Sequence, residues 1–555
     1  MAPLELSRRE LLAAFLGSAV AAQACRRPEA SGAPVPGALV DRAVQSGHRL
    51  RAGGPLPRAA EAERVDVLVV GAGIAGLSAA WRLAGAGVTD FRVLELDAKA
   101  GGTARSGRSA VSAYPWGAHY LPAPLESSGP VVRLLRELGA VVGEDARGRP
   151  EYAEALRVQE PEERLFYRGS WYEGLYLRAG ASPEDLRQLA RFEARMARFA
   201  AARDAKGRRA FTVPVGACSD DAEWTQLDRL SMAAWLAQEG FTSPRLRWLV
   251  DYACRDDYGA EAAFTSAWAG IWYFAARQDG ESQQSGAEGF LTWPEGNGHL
   301  VAALRAAAGA QRVRTGVLVH TVEPEGEGWR VHGLEGDTPR AWHARQVVFA
   351  GPRYVAQHVV APWRAERPAW ADAFAYSPWV VANLHLHRKP AGRGFPLAWD
   401  NVLYESRSLG YVVATHQRLQ AVDVGPTVLT WYLPLSGEDV KGERARMLSA
   451  GYAEYERLVM ADLAVAHPGV REDAERLEVM RWGHAMVRPR VGFLWGGARE
   501  AAGRSLSAGA GPSLHFAHSD LGGLALFEEA QWHGVRAAEA ALAGLGRAPS
   551  GSSWL

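Results

Sequence analysis

The sequence has only three cysteines in 555 residues, so a disulfide-stabilised scaffold is excluded. It has no net charge either, because 62 Lys and Arg residues balance 62 Asp and Glu residues. No overall field therefore attracts nucleic acid or an anionic membrane, and neither is expected as a partner. Past the N-terminus no apolar run reaches the about 20 residues of a membrane-spanning helix. The sequence also lacks a metal-ligand cluster, a Walker-type loop and a Gly-x-Ser-x-Gly elbow, so no metal site is expected.

Glycine and tryptophan, by contrast, are abundant. Glycine accounts for 60 of 555 residues, about 11% against a usual value of about 7%. The 20 tryptophans outnumber the 16 phenylalanines and the 16 tyrosines. Excess glycine indicates close approaches of the backbone, and excess tryptophan indicates aromatic walls.

The N-terminus resembles a twin-arginine export signal. The pair Arg8-Arg9 precedes an apolar stretch over residues 11–24, which suits a signal peptide and is too short to cross a bilayer. The stretch ends in Ala-Gln-Ala-Cys, which fits either a signal-peptidase site or a lipoprotein with its lipid anchor on Cys25. An ordinary amphipathic helix with a chance arginine pair is the remaining interpretation. We predict a signal peptide over residues 1–25, the twin-arginine export machinery as a partner, and a periplasmic or other extracytoplasmic location, membrane-anchored if Cys25 is lipidated.

Residues 26–63 are rich in Pro, Gly and Ala without a sustained period, so they are predicted to form a linker. Further along, Cys218 and Cys254 do not form a Cys-x-x-Cys pair. An oxidising compartment would permit a disulfide bond between them, and two buried free thiols are the alternative.

A glycine turn follows the first strongly apolar run of the predicted mature chain. The run over residues 65–70 is typical of a buried parallel strand, and residues 77–84 are predicted to form a helix. Between them, Gly71 permits a tight turn, Gly73 lets a pyrophosphate touch the backbone, and Gly76 lets the helix pack on the strand. The N-terminus of that helix offers its free N–H groups to the phosphates.

An acid completes this pattern at the end of a second predicted strand, over residues 91–96. The carboxylate of Glu95 can accept hydrogen bonds from ribose hydroxyls. The combined spacing predicts a dinucleotide site, and a plain strand–helix turn is the alternative. The candidate contacts are Gly71, Gly73, Ile74, Ala75, Gly76, Glu95 and Leu96.

A second glycine pair, Gly101-Gly102, lies six positions after Glu95. An acid followed by such a pair resembles the flavoproteins with two dinucleotide-binding domains: the amine oxidases, protoporphyrinogen oxidases and phytoene desaturases. In that superfamily an arginine usually follows the glycines. Thr103 holds that position in this sequence, so the resemblance assigns a phosphate or wall contact to Arg105. It implies FAD and disfavours NAD, and the FAD is expected to be non-covalent because no cysteine follows Cys254.

The resemblance extends through the second half of the chain. Residues 291–300 are similar to a Pro-x-Gly-Gly turn and helix of the superfamily. The apolar runs over residues 313–319 and 346–350 are similar to superfamily strands that return to the cofactor domain. By resemblance, the backbone of Val317 contacts the adenine.

The last match is the final flavin motif, over residues 514–520 and a helix predicted over 528–543. By resemblance, Asp520 is the acid that binds the ribityl chain, and Leu526 and Phe527 precede the helix under the flavin. The positive end of such a helix stabilises the negative charge of a reduced flavin.

Together these segments predict an α/β fold (α+β overall), in which a discontinuous Rossmann-like FAD-binding domain is interleaved with a sheet-plus-helices substrate domain. The expected divisions are FAD-binding segments at 64–108, 291–352 and 486–545, a mainly helical substrate or cap segment at 109–290, a substrate-domain sheet at 353–485 and a tail at 546–555.

Several side chains are candidates for the chemistry itself. By resemblance, Gly117 and Ala118 run along the flavin ring. The candidates for an acid, a base or an active-site wall are His119, Tyr120 and His484, with plain packing as the alternative for each. The candidates for an aromatic cage around a cationic or planar substrate are Trp293, Trp495 and Trp532.

One departure from the amine oxidases affects the expected reaction. They usually carry a lysine near flavin N5 on a substrate-domain strand, and Asn383 takes that place on a strand predicted over residues 380–387. A fast reaction of the reduced flavin with oxygen is therefore in doubt. The predicted electron acceptor is O2 or, alternatively, another oxidant.

We predict a FAD-dependent oxidoreductase that transfers a hydride from a C–N or C–C bond of a small or medium organic molecule to flavin N5. The alternatives are a desaturase or dehydrogenase with a non-oxygen acceptor, and a flavin-binding scaffold whose chemistry has decayed.

Overall fold

The computed structural model describes residues 33–41, 43–51, 55–126, 128–277, 289–418, 425–547 and 553–555. The predicted signal peptide, Cys25 included, lies outside these ranges. Among the helices within them, none combines the length and the apolar character that crossing a bilayer requires.

Most of the described strands belong to two large sheets. In chain order the strands are β1 (Gly37–Leu39), β2 (Glu63–Val70), β3 (Phe91–Leu94), β4 (Ser106–Arg108), β5 (Ala113–Pro115), β6 (Tyr120–Pro122), β7 (Val141–Glu144), β8 (Pro150–Tyr152), β9 (Glu163–Tyr167), β10 (Ser170–Glu173), β11 (Phe290–Thr292), β12 (Val313–Arg314), β13 (Val317–Glu325), β14 (Gly328–Glu335), β15 (Thr338–Phe349), β16 (Tyr376–Leu386), β17 (Asp400–Leu403), β18 (Gly410–Val413), β19 (Thr427–Pro434), β20 (Ala474–Val487), β21 (Leu506–Ser507) and β22 (Pro512–Phe516).

The α-helices lie against these sheets or in a separate helical layer. They are α1 (Ala43–His48), α2 (Ile74–Gly85), α3 (Pro130–Glu137), α4 (Pro183–Ala201), α5 (Ala222–Thr225), α6 (Met232–Gln238), α7 (Pro244–Tyr258), α8 (Ala267–Ala275), α9 (Gly298–Ala308), α10 (Arg353–Val359), α11 (Ala361–Ala365), α12 (Val440–Ser449), α13 (Tyr452–Ala464), α14 (Ala498–Ala502) and α15 (Phe527–Gly544).

The first large sheet brings together distant parts of the chain, in the order β12-β3-β2-β15-β14-β13. β2 is parallel to β3 and β15, and β22 joins as a parallel neighbour of β15. α2 and α15 cover one face of this sheet and pack against each other, while α10 and α14 contribute to the core on the other face. Because the carboxyl ends of parallel strands lie at one edge, the turns after β2 and β22 meet there. The mixed α/β architecture confirms the predicted fold class.

The second large sheet has the order β1-β20-β16-β19-β18-β17-β9-β10. Its central strand β16 is antiparallel to β19 and β20, and every residue of β16 is buried. The burial arises because α12 and α13 pack on one face, while the segment around Tyr114 and Trp116 packs on the other. α4, α6, α7 and α8 share a core of their own beside this sheet.

Part of the predicted linker belongs to this sheet. β1 lies parallel to β20, with Gly37 opposite Leu477. The carboxylate of Asp41 accepts a hydrogen bond from Arg481 at 2.9 Å, and the amide of Val35 donates one to Glu456 at 3.2 Å. A strand of this length has too few residues to show a period, so composition alone suggested a linker there.

The expectation of a mainly helical segment over 109–290 is also corrected. Residues 183–275 are mainly helical, but the part before them forms β5 to β10 with one intervening helix, α3. β9 and β10 extend the second large sheet, because β9 pairs in parallel with β17. The predicted capping of α4 is present: the Ser182 hydroxyl accepts from the Asp185 amide, and the Asp185 carboxylate accepts from the Ser182 amide.

The two described cysteines are free thiols, so the disulfide alternative is excluded. Both side chains are buried in the core of the helical layer. Burial raises the pKa of the Cys218 thiol to about 12, which keeps it protonated and unreactive.

Helix α15 packs against α2 through Gly534, where a Cβ atom would overlap the carbonyl oxygen of Ala75. We expect Gly534→Ala to destabilise the FAD-free protein by about 1–3 kcal/mol, because the two helices must move apart. Thermal unfolding of the FAD-free protein measures the change. Gly73→Ala is the matched control, since a Cβ there would meet no protein atom within 4 Å. Equal losses of melting temperature in both variants would contradict this packing argument.

Candidate active site

The glycine turn after β2 has a conformation that other residues rarely adopt. Gly71 has φ of 102°, and its amide donates to the Leu94 carbonyl at 2.7 Å, so the turn is joined to the end of β3. A Cβ on Gly76 would overlap the carbonyl oxygen of Gly71, whereas the space beside Gly73 is open. No side chain caps the start of α2 at Gly73. The N–H groups of Ile74 and Ala75 in the first turn are therefore available to an anion.

Glu95 holds this turn from the other side. Its carboxylate accepts hydrogen bonds from the amides of Ala72 and Asp97, at 2.8 and 2.9 Å. Burial raises the pKa of this carboxyl, although both amides and Arg105 act in the opposite direction. The carbonyl of Glu95 accepts from the amide of Val317 at 2.8 Å. The predicted ribose and adenine contacts thus lie beside each other, at the carboxyl end of β3.

The second glycine pair lies against the first. The Gly101 amide donates to the Ala72 carbonyl at 2.8 Å, and both glycines have positive φ, 122° for Gly101 and 57° for Gly102. A Cβ on Gly102 would lie 3.5 Å from the Cα of Gly73. The two glycine motifs therefore border one space, as expected for the phosphate region of a dinucleotide.

Arg105 connects this region to the second large sheet. Its guanidinium forms an ion pair with Asp97 and lies 4.9 Å from the centre of the Trp482 ring. Of the two roles predicted for Arg105, this position supports the wall more directly than the phosphate contact, because the charge is already paired.

The segment over residues 115–118 lies between the glycine motifs and the second large sheet. On one side, the amide of Ala118 donates to the carbonyl of Thr103 at 3.2 Å, and a Cβ on Gly117 would overlap that same oxygen. On the other side, three side chains of the sheet donate to three successive carbonyls: Asn383 to Pro115 at 3.1 Å, Trp482 to Trp116 at 2.6 Å and Tyr432 to Gly117 at 3.0 Å.

Asp520 lies after β22, buried in a group of donors. It accepts from the Arg353 amide at 2.8 Å and the Tyr376 hydroxyl at 2.7 Å, and His518 lies 3.0 Å away. Burial acts to raise the pKa of Asp520, but His518 and these two donors outweigh it and hold the pKa below its usual value. α15 then begins at Phe527, and no side chain caps it at Leu526. Sequence reasoning found Asp520 but missed Arg353 and Tyr376, since nothing in their local pattern marks them.

The candidate histidines lie in different surroundings. His119 stacks on Tyr432 with ring centres 5.0 Å apart, and burial lowers its pKa to about 4. His484 stacks on Tyr354 at 4.0 Å, near Asp520, and burial together with Arg444 and Arg51 lowers its pKa to about 3. Both imidazoles are therefore neutral at physiological pH. Either can accept a hydrogen bond, but neither brings a positive charge to the site.

The three tryptophans predicted to form a cage are not brought together. Trp293 stacks on His299 at 5.0 Å, Trp495 packs against Trp268 at 5.6 Å, and Trp532 packs against His533 at 4.9 Å. The aromatic cluster beside the 115–118 segment instead consists of His119, Tyr120, Trp399 and Tyr432. The cage prediction was wrong because tryptophan content alone carries no information on which rings meet.

Comparison with known proteins identifies the family. The sequence profile of the flavin containing amine oxidoreductases matches residues 74–542. The chain belongs to this family. A 74-residue stretch is 47% identical to the human peroxisomal N(1)-acetyl-spermine/spermidine oxidase, which spans 13% of this chain and 14% of that relative.

Solved structures share the fold at low identity. A putrescine oxidase has 17% identity and a TM-score of 0.64, covering 87% of this chain and 100% of that one. Cyclohexylamine oxidase from Brevibacterium oxydans has 18% identity and a TM-score of 0.59, with 87% and 100% covered. As a family member, the chain is a FAD-dependent oxidoreductase.

The residues present fit FAD. The open side of Gly73 and the uncapped start of α2 suit its diphosphate, Glu95 and Val317 lie where its adenosine half is expected, and Asp520 offers a carboxylate to a hydroxyl. No side chain caps α15 at Leu526, and its positive end already has two acids, Glu528 and Glu529, in the first turn. When bound, FAD supplies a hydride acceptor at N5. The protein would hold FAD along residues 115–118, between the glycine motifs and the aromatic cluster.

The sequence analysis did not select five further carboxyl groups, which we call the acidic chamber: Glu162, Glu163, Asp256, Asp257 and Asp400. Asp256 and Asp257 lie near Tyr120, and Asp256 and Asp400 lie near Tyr432. Burial, and then the neighbouring Glu163 and Glu160, raises the pKa of Glu162 to about 8. Burial raises the pKa of Glu163 to about 7, although a backbone hydrogen bond from Leu175 acts in the opposite direction. The pKa of Asp400 is also raised by burial and by Asp256 and Glu163. No spacing in the sequence marks these groups, because they come from three distant elements.

We expect Glu95→Ala to weaken FAD binding by roughly 10–150-fold, since hydrogen bonds to a charged group are worth about 1.5–3 kcal/mol. Titration of the FAD-free protein with FAD, followed by flavin fluorescence, measures the dissociation constant. Glu61→Ala removes an exposed acid just before β2 and serves as the control. An unchanged dissociation constant for Glu95→Ala would show that this carboxylate has no part in holding FAD.

Proposed function

We propose that this protein is an exported amine oxidoreductase, which transfers a hydride from the C–N bond of an amine to FAD. The observation that favours a C–N over a C–C bond is the acidic chamber. Asp256 and Asp257 near Tyr120, and Asp400 near Tyr432, suit a substrate that carries an ammonium group, whereas a neutral polyene would add no positive charge to that of Arg277, which pairs with Asp257. The relatives are named as oxidases of acetylated polyamines, putrescine and cyclohexylamine, which agrees with this choice.

Asn383 favours an electron acceptor other than oxygen. Its side chain is fully buried, donates to the Pro115 carbonyl and accepts from the Thr430 hydroxyl at 2.7 Å. The position therefore carries a neutral amide whose nitrogen and oxygen are both hydrogen-bonded, in place of a lysine ammonium. A dehydrogenase that passes electrons to a quinone-like compound is accordingly the second candidate.

Export rests on the sequence of residues 1–25, with the twin-arginine machinery as the partner and the periplasm as the destination. A lipid on Cys25 would add a membrane anchor. Cell fractionation that finds the FAD-loaded protein only in the cytoplasm would count against this part of the proposal.

An anaerobic substrate panel tests the reaction. We expect primary or secondary amines to bleach the flavin absorbance of the purified holoenzyme, and a carotenoid-type polyene to leave it unchanged. Reoxidation of the bleached enzyme is then compared between O2, with peroxide measured, and a soluble quinone; we expect the quinone to be faster. Bleaching by the polyene alone would overturn the choice of a C–N bond. A flavin that no compound bleaches would indicate the decayed scaffold instead.

A further inference from the structure

The segment that composition assigned to a linker runs from one large sheet to the other. It comprises the described residues 33–41 and 43–51, and we call it the N-terminal strap. The family profile begins at residue 74, so the strap lies before the region that the profile matches. The contacts of the strap are therefore a feature of this chain for which the family match does not account.

β1 attaches the strap to the edge of the second large sheet. The amide of Leu477 donates to the Pro36 carbonyl at 2.9 Å, and the amide of Val40 donates to the Val479 carbonyl at 2.9 Å. A Cβ on Gly37 would overlap the carbonyl oxygen of Leu477, so the two strands can approach this closely only because residue 37 has no side chain.

The strap leaves this sheet beside the wall along which the flavin ring is expected to lie. Val40 and Trp482 both pack against the hydrophobic cluster that contains Trp116. Next in the chain, the carboxylate of Asp41 forms an ion pair with Arg481 at 2.9 Å, and both side chains are largely buried. One end of the strap is therefore fixed at the flavin end of the cofactor site.

The other end of the strap lies at the adenosine end of the site. Leu50 packs against the hydrophobic cluster of the first large sheet that contains Val317. A Cβ on Gly47 would lie 3.6 Å from the Cδ2 atom of Leu96, which is ordinary contact distance. Val317 and Leu96 are two of the residues predicted to contact the adenosine half of FAD. The strap therefore touches the residues of this half from outside the family region.

Between its two ends the strap brings positive charge to the site. Arg51, His48 and Arg444 lower the pKa of His484, which also lies near Asp520. Among the described residues, no carboxylate forms an ion pair with the exposed guanidinium of Arg51. The diphosphate of FAD is negatively charged, so a cation on this side of the site favours the bound cofactor.

We propose that the N-terminal strap is part of the FAD site and slows the release of the cofactor. The strap and bound FAD join the same two regions of the protein, so each favours the arrangement that the other needs. Because coupling between two binding events is reciprocal, FAD tightens the docking of the strap by the same factor by which the strap tightens FAD. The inference concerns the cofactor alone, so its test does not depend on the substrate.

Hydrogen exchange in the wild-type protein tests this reciprocity. β1 and β10 are the two edge strands of the second large sheet, which makes β10 the matched control. We expect added FAD to slow exchange of the β1 amides by about tenfold more than exchange of the β10 amides, a coupling of ordinary size. Mass spectrometry of the FAD-free and FAD-loaded protein measures both rates. Equal slowing at the two edges, or none at β1, would overturn the proposal.

Two variants loosen the strap at its attachment to the second sheet. Gly37→Ala places a methyl group against the Leu477 carbonyl, and Asp41→Asn removes the charge of the ion pair with Arg481 with little change of shape. We expect each to release FAD about tenfold faster, measured from the flavin fluorescence that appears after dilution of the holoenzyme. Gly511→Ala is the control, because a Cβ there would meet no protein atom within 4 Å.

Hydrogen exchange of the same variants shows whether the strap has loosened. Faster exchange at β1 together with faster release of FAD supports the proposal. Faster exchange at β1 with the wild-type release rate contradicts it, because FAD is then held equally well without the strap. The melting temperature identifies a variant that fails to fold, and in that case, or if β1 stays docked in both variants, the wild-type exchange experiment decides.

Discussion

The relative position of the two large sheets depends on the backbone over residues 115–118. Its carbonyl groups accept from Asn383, Trp482 and Tyr432 of one sheet, and its Ala118 amide donates to Thr103 in the cofactor domain. Gly117 is required because a side chain there would overlap the Thr103 carbonyl. A displacement of this segment would break hydrogen bonds on both sides at once, so the flavin region and the substrate region are positioned together.

Two groups of buried acids have pKa values that are shifted in opposite directions. Asp520 is buried, yet its pKa is held down, because His518, the Arg353 amide and the Tyr376 hydroxyl surround it. Glu162 and Glu163 meet few donors and lie near other carboxyls, so their pKa values are raised. Asp520 is therefore a negative charge whose hydrogen-bond partners are supplied by the protein itself. In the second group, burial and neighbouring carboxyls favour the protonated form.

Local patterns predicted the backbone structure of the cofactor domain well, while the roles of its site residues stay predictions. The turn at Gly71, the acid at Glu95, the glycine pair at 101–102 and the helix after Asp520 each occupy a few neighbouring residues, and chain geometry ties each pattern to a shape. The acidic chamber could not be predicted in this way, because Glu163 and Asp400 become neighbours only through the pairing of β9 with β17. Predictions from composition were weakest: the proline- and glycine-rich stretch before residue 63 contains β1, and the tryptophan cage does not form.

The pairing of β1 with β20 also determines when the second sheet can be completed during synthesis of the chain. Gly37 pairs with Leu477, so the edge of the second sheet joins the first described residues to a strand made near the end of synthesis. A chain that has not yet been extended past β20 cannot form this edge, and β20 is open to pairing with other chains until β1 covers it. Completion of this sheet therefore waits until most of the chain has been made. In the export route proposed above, the whole chain would fold before it crosses the membrane, which is the order that a twin-arginine signal implies.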